Sequence, residues 1–351
     1  MSVCSEKRTP CRNTSHALLR KRRAYGLITG VVLLFLLVLA SLALGSRTIA
    51  LRETFNALQN YDPQNDLHLI VRELRIPRTL VAVLAGLALG VAGAIMQAIT
   101  RNPLAEPGLL GVNAGAAVAV VTGMTLFGLT TMQHYVWFAF AGAGLAGITV
   151  FFLGQAHLSG TNPVRLVLAG AGLSIVLASV TGIIIVNSPL TVLDQVRHWS
   201  AGSVEGRGYD VVAILAIAVL IGVITAAALA GNLNAIVLGR DMGEALGVNI
   251  RLTWIIACCA VMLLAGAATA AAGPVGFAGL VAPHIARMMT GPNYRWVLPY
   301  SALFSAILLL GADVTGRIIV PPSEIAAGII ITLIGGPFFI FVVRKYRLNK
   351  L

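Results

Sequence analysis

The chain has 351 residues, 58% hydrophobic and 11% charged, with a formal net charge of +12 and a mean hydropathy of +0.88. Soluble domains carry about 25% charged residues, and a water-soluble globule this apolar would expose large patches and aggregate, so the bilayer is its natural solvent. The basic excess is no nucleic-acid groove: seven basic residues (Lys7, Arg8, Arg12, Arg20, Lys21, Arg22, Arg23) precede position 24 and the rest are scattered between apolar runs, the pattern of cytoplasmic anchoring.

A membrane helix needs about 20 apolar residues with few or no charges, so stretches free of Asp, Glu, Lys and Arg mark the elements. Residues 1–23 read as a basic, disordered cytoplasmic tail, and residues 24–351 as a single transmembrane domain. The first stretch is 24–46; its apolar core exceeds the 7–15 residues of a signal peptide, so it is expected to remain as an uncleaved helix. An outer segment, 47–77, follows, in which 66–75 has the look of a short amphipathic helix. The second span is 79–100. Residues 107–164 carry no charge and hold two spans, with a break near 127–134 where Thr, Gln and His cluster. Next come 166–193, 211–239 and 252–286. The last contains the breaker Gly273-Pro274-Val275-Gly276 and feeds two helices. Stretches 296–312 and 325–343 complete ten expected spans.

Ten spans place both termini on one side. With that side cytoplasmic, 17 of the 25 basic residues fall inside, as the positive-inside bias requires. Gly86, Gly90 and Gly93 stand at helical spacing and imply close helix packing. Cys258 and Cys259 read as packing residues, while Cys4 and Cys11 lack partners at metal-ligand spacing.

Catalytic patterns are missing from the sequence: there is neither H-E-x-x-H nor G-x-S-x-G, and the histidines are isolated. His284, after Pro283, reads as a hydrogen-bonding partner for a neighbouring helix more than as a proton relay. None of the four lysines follows Gly and precedes Ser or Thr, so the chain holds no phosphate-binding P-loop. If transport is ATP-driven, the ATPase is another subunit. The acids Glu106, Asp194, Asp210, Asp313 and Glu324 crowd the span ends, which argues against a proton-coupled carrier. Asp313 is expected to pair with Arg317 one turn along.

Several blocks then carry a resemblance. Arg75-Ile76-Pro77-Arg78-Thr79-Leu80 leads through Gln97 into the run from Arg101-Asn102-Pro103-Leu104-Ala105-Glu106-Pro107 to Gly111 and Ala116. His198-Trp199-Ser200-Ala201-Gly202-Ser203, the block from Gly273 to His284, and Ile334-Gly335-Gly336-Pro337 continue it. From about residue 70 onward the chain resembles the permease family of ABC importers for ferric siderophores and cobalamin. Its Asn113–Ala116 and Arg197–Trp199 blocks look closer to ferric-enterobactin-type permeases. It departs from the family at Ala326, where the family carries Pro.

The resemblance implies an all-α fold with spans 2–5 and 7–10 as inverted repeats, in a multi-pass subunit of the bacterial inner membrane. It implies a second permease, identical or paralogous, two cytoplasmic ATPases that hold ATP and Mg, and a periplasmic binding protein. This chain itself would bind no cofactor, metal or nucleic acid. Within the inner segment 231–251, Gly239, Arg240, Asp241, Glu244, Ala245, Leu246 and Gly247 look like the ATPase-coupling loop. Arg75, Arg78 and Arg317 fall where the family docks acidic residues of the binding protein. Gln97, Asn102, Pro103, Pro107 and Gly111 read as structural. The expected function is passage of ferric siderophore. Cobalamin and haem are the alternatives within the family, and a secondary transporter without an ATPase is the alternative outside it.

Overall fold

One long rod organises the molecule. The computed structural model describes residues 11–45, 48–129, 132–155 and 163–348. In it residues Asp66–Ile99 run as one helical stretch. The stretch begins as α3 (Asp66–Leu69), widens into a π-helical turn over Ile70–Arg75, and continues as α4 (Ile76–Ile99). The amphipathic segment expected at 66–75 is therefore helical, but it prolongs the span. The cause is Pro77 at the start of α4. Proline lacks an N–H and crowds the preceding turn, and the widened turn, with Ile76 N–H bonding Val71 O, gives its ring room.

Before this rod lie α1 (Cys11–Ala43) and α2 (Leu51–Gln59). After it come α5 (Val112–Phe127), α6 (Met132–Leu153), α7 (Pro163–Val186), α8 (Leu190–Ser200) and α9 (Tyr209–Val237). Then follow the short α10 (Arg240–Ala245), α11 (Ile250–Ala272), α12 (Ala278–Thr290), α13 (Tyr294–Ile319) and α14 (Ala327–Leu348). Every regular element among the described residues is helical.

Residues 11–23 of the basic tail are drawn as the start of α1. The stretch is rich in Ala, Leu, Arg and Lys, all good helix formers, and lengthening an existing helix needs no new nucleus. The rest of that tail, residues 1–10, lies outside the described residues, as does Cys4.

Among the described residues, seven helical stretches are long and apolar enough to cross a bilayer: Lys21–Ala43, Asp66–Ile99, His134–Leu153, Pro163–Val186, Tyr209–Val237, Ile250–Ala272 and Tyr294–Ile319. Val112–Phe127 and Ala327–Val342 are apolar but shorter. The remaining expected span is α12, 13 residues that start just after the Gly-Pro breaker.

Helix α4 packs on α13, α11, α9 and α12, while α5 packs on α6 and α7, and α1 on α13. Gly86 and Gly90 lie against the backbone of Ala306 and Ser301, and Gly93 against that of Gly279, so closely that a methyl group has no room. Such contacts let helices associate where no hydrophobic drive separates side chain from lipid. Helix α7 is the opposite case, with only Leu166 and Gly170 buried along its length.

Candidate functional site

The two ends of the bundle are built from different chemistry. At the start of α4, the end of α1 and the end of α13, charges are gathered and buried. Asp313 is the hub. Arg78 grips its Oδ1 through Nε at 3.0 Å and Nη2 at 2.7 Å. Nη1 of Arg78 lies 2.7 Å from Glu324 Oε2. Arg317 reaches Asp313 Oδ2 at 2.8 Å, and also donates to Ser41 Oγ at 2.7 Å and Ser41 O at 3.0 Å. Arg75 donates to Leu42 O at 2.7 Å. Arg317 and Asp313 are each 2% exposed. A buried charge is tolerated when paired, and here two guanidiniums and two carboxylates neutralise one another. The network ties α1, α4, α13 and the segment before α14 at one point.

Beside it opens a cavity of about 500 Å³, lined by Arg75, Arg78, Arg207, Arg317, Glu205 and Glu324 among others. Arg207 comes from the loop between α8 and α9. Its Nη2 donates to Ser203 O at 2.8 Å. Burial pulls its guanidinium down to about 10, which leaves it charged at neutral pH.

The far end is reached by following α9 or α4, a helix about 36 Å long at 1.5 Å per residue. There α10 is cut off on both sides by glycines in the left-handed half of conformational space, Gly239 at φ +114° and Gly247 at φ +79°. Val248 N–H bonds Gly243 O at 3.0 Å and Gly247 N–H bonds Glu244 O at 2.9 Å, which closes the helix in a Schellman turn. Asp241 sits in its first turn, where an acid suits the helix dipole. Arg240 Nε pairs with Glu244 Oε1 at 2.8 Å on the surface. Gly243 is buried against Ile250, which fixes α10 to α11. The outer face is apolar: Met242 is 56% and Leu246 61% exposed.

Between the ends, two interruptions meet. Glu106 Oε1 accepts the Phe277 N–H at 3.1 Å, joining the loop before α5 to the breaker before α12. Phe277 holds φ +63°, unusual for a residue with a side chain. Burial pushes the Glu106 carboxyl up, partly opposed by the Phe277 N–H. Gln97 donates to Leu280 O at 3.3 Å and accepts from Arg287 Nη2, so it stitches α4 to α12. Asn102 Oδ1 accepts Leu104 N–H at 3.0 Å, an Asx turn that carries the chain through Pro103. Pro107 opens a single 3₁₀ turn, and Gly111 at φ +72° caps α5. Around Ala326, Ile325 N–H bonds Gly316 O at 3.0 Å and Gly328 N–H bonds Gly202 O at 2.9 Å. The turn is thus held by main-chain hydrogen bonds. His284 is buried, its ring edge-on to Phe338 of α14 at 5.8 Å.

The structure brings Arg75, Arg78 and Arg317 into one cluster, and Gly239 through Gly247 into one projecting turn. Arg75 and Arg317 face inward, onto main-chain carbonyls and Asp313, and Arg78 shares the same carboxylate. Three residues of this scheme escaped the sequence reading: Glu324 as a partner of Arg78, Glu106 as the cap on Phe277, and Arg207. The only local signal for Arg207 is its position between Gly206 and Gly208.

Residues 33–345 match the FecCD transport family. The chain is 43% identical over 319 residues to the ferric enterobactin transport system permease protein FepD of Escherichia coli (strain K12), which covers 91% of this chain and 95% of that one. It is 38% identical over 330 residues to the iron(3+)-hydroxamate import system permease protein FhuB of Bacillus subtilis (strain 168), covering 93% and 85%. It is 37% identical over 317 residues to the hemin transport system permease protein HmuU of Yersinia pestis, covering 89% and 94%. Among solved structures, an inward-facing metal-chelate type ABC transporter superposes with a TM-score of 0.78 at 26% identity, covering 92% of this chain and 99% of that one.

Proposed function

Because the chain belongs to the FecCD transport family, we propose that it is the membrane-spanning permease of an ATP-driven importer that moves ferric siderophores from the periplasm to the cytoplasm. One observation carries this reading: 43% identity to a ferric enterobactin permease over nearly the full length of both chains. A haem importer is the second reading, and it rests on the 37% identity to a hemin permease.

In the proposed arrangement the chain is a ten-span protein of the bacterial inner membrane, with α4–α7 and α11–α14 as its inverted repeats. The seven long apolar stretches, the two shorter ones and α12 would be the ten spans. The helix–break–helix pattern recurs at α4–α5 and α11–α12. Tyr300 O–H bonds Arg23 O at 2.6 Å, and α13 begins beside Asn234 near the end of α9. These contacts bring the basic start of α1 to the α10 end, and the positive-inside bias supports a cytoplasmic place for that end.

The partner ATPase, which would hold ATP and Mg, engages α10. A short rigid helix with exposed Met242 and Leu246 suits a groove in a partner, an anchor-in-groove mode. Closure of two ATPases around nucleotide would move two copies of α10, and with them α9 and α11, which flank it directly. The second permease, identical or paralogous, lies beside this chain in the membrane. At the opposite end, the arginine cluster takes part in docking the binding protein. Arg78, the most exposed of the three, would face the partner, while Arg75 and Arg317 hold it in place through carbonyls and Asp313.

The test is uptake in a strain deleted for this gene, supplied with single siderophores or haem as the sole iron source. Restoration by the wild-type chain on a siderophore, lost when Met242 and Leu246 are replaced by Glu, is the expected result. Uptake by the purified, reconstituted chain alone would point to a secondary transporter and overturn the proposal.

A further inference from the structure

The cavity at the arginine-rich end contains one guanidinium, that of Arg207, with a buried N–H left unmet. Arg78 and Arg317 are matched by Asp313 and Glu324, a set with no net charge, and Arg75 is anchored on Leu42 O. Arg207 is different. It is 7% exposed, and its Nε is buried with no hydrogen-bond partner among the described residues. Its Nη2 bond to Ser203 O holds one edge of the planar group. Glu205 lines the same cavity and acts on Arg207 through space. An arginine presents five N–H donors and no acceptor. A buried donor left unmet is costly, so retention of this geometry at the wall of a cavity points to an acceptor that arrives from outside.

We infer that Arg207 seats an anionic oxygen of the cargo, a catecholate or carboxylate oxygen of the ferric chelate, as the chelate enters this cavity. The inference rests on the importer reading above and adds a subsite to it. A guanidinium fork fits paired oxygens and keeps its charge. A cavity of about 500 Å³ falls in the range of small-molecule sites, and the recessed position of Arg207 suits a chelate better than a side chain on a flat docking surface. Glu73 and Glu205 also line the cavity, so the fork of Arg207, more than the net charge of the lining, selects paired anionic oxygens.

The experiment uses the full chain in lipid nanodiscs without its partners, with equilibrium binding read for two probes: an anionic ferric tricatecholate and a neutral ferric trihydroxamate. The wild type is expected to bind the tricatecholate with an affinity that falls as salt rises. Arg207→Gln should weaken that binding at least ~10-fold, as loss of a hydrogen bond to a charged group implies. Arg207→Lys should weaken it about 3-fold, because the charge stays and only the fork is lost. The trihydroxamate should bind all three proteins alike. Equal tricatecholate binding by wild type and Arg207→Gln overturns the inference, as does equal weakening of both probes. If Arg207→Gln does not reach the membrane, Arg207→Lys decides by the same comparison of probes. A third titration uses the cargo-free binding protein. If Arg207→Gln weakens that complex as much as it weakens the chelate, the seat takes a protein carboxylate and the inference fails. Uptake separates the two proposals. A wild-type importer that moves neither chelate sinks the importer reading. A working importer indifferent to Arg207→Gln sinks only the seat.

Discussion

At the arginine-rich end of the bundle, Arg78, Arg317, Asp313 and Glu324 are drawn inward and matched to one another. At the α10 end the reverse holds: Arg240 and Glu244 pair on the surface, and the apolar side chains Met242 and Leu246 stand in solvent. The first arrangement completes itself within the chain. The second leaves apolar surface uncovered. The contrast teaches that burial, more than charge, tells which charged groups hold the fold together.

The largest expected effect tests the self-contained end. Asp313→Ala leaves two buried guanidiniums short of a counter-charge, a change that costs about 3–5 kcal/mol. The midpoint of thermal aggregation in detergent should fall sharply, and an unchanged midpoint would break the contrast. Next comes the open end. Met242→Glu with Leu246→Glu should reduce ATPase co-purification by ~30-fold or more, as loss of an apolar hot spot of about 2–4 kcal/mol predicts, while the chain's own thermal midpoint stays put. Destabilisation of the isolated chain by this pair would show that α10 belongs to the core after all.

The seam between the ends gives a smaller effect. Glu106→Ala removes the acceptor for the part-buried Phe277 N–H and should cost about 1 kcal/mol, whereas Glu106→Gln keeps an acceptor and should cost little. The pH dependence separates them further. The folded Glu106 carboxyl titrates above its unfolded value, near 4.3 for an ordinary glutamate. Its favourable contribution is therefore complete below that value and lost as pH rises through the folded one. Wild-type melting midpoints should fall across that window, and those of Glu106→Gln should not. Smallest of all is Arg240→Ala. The exposed i,i+4 pair is worth about 0.3–0.5 kcal/mol, so stability should hardly move, in contrast to Asp313→Ala.

Much of the architecture was readable because apolar runs and breakers are local signals. The breaks at Phe127 and at Gly273–Gly276 fall where Thr, His, Gly and Pro interrupt the apolar runs. The end of α10 was foreseeable from Gly247, since a Schellman turn needs a residue at positive φ. The pairing of Asp313 with Arg317 was foreseeable from helical spacing. Other features had no such signal. Arg78 meets Asp313 across 235 positions of sequence, and Glu106 caps Phe277 across 171. No local pattern encodes either distance.

What the sequence determined by itself was the solvent, the secondary structure and the family. Hydrophobicity, helical spacing and a few dense motifs are properties of neighbours along the chain. What only the tertiary structure decided was which charges are buried and which remain open. Arg75, Arg78, Arg207 and Arg317 are one residue type in the sequence. They become anchor, bridge, candidate seat and brace through carbonyls and carboxylates that other helices deliver, because the strength of a charge depends on the water it has lost.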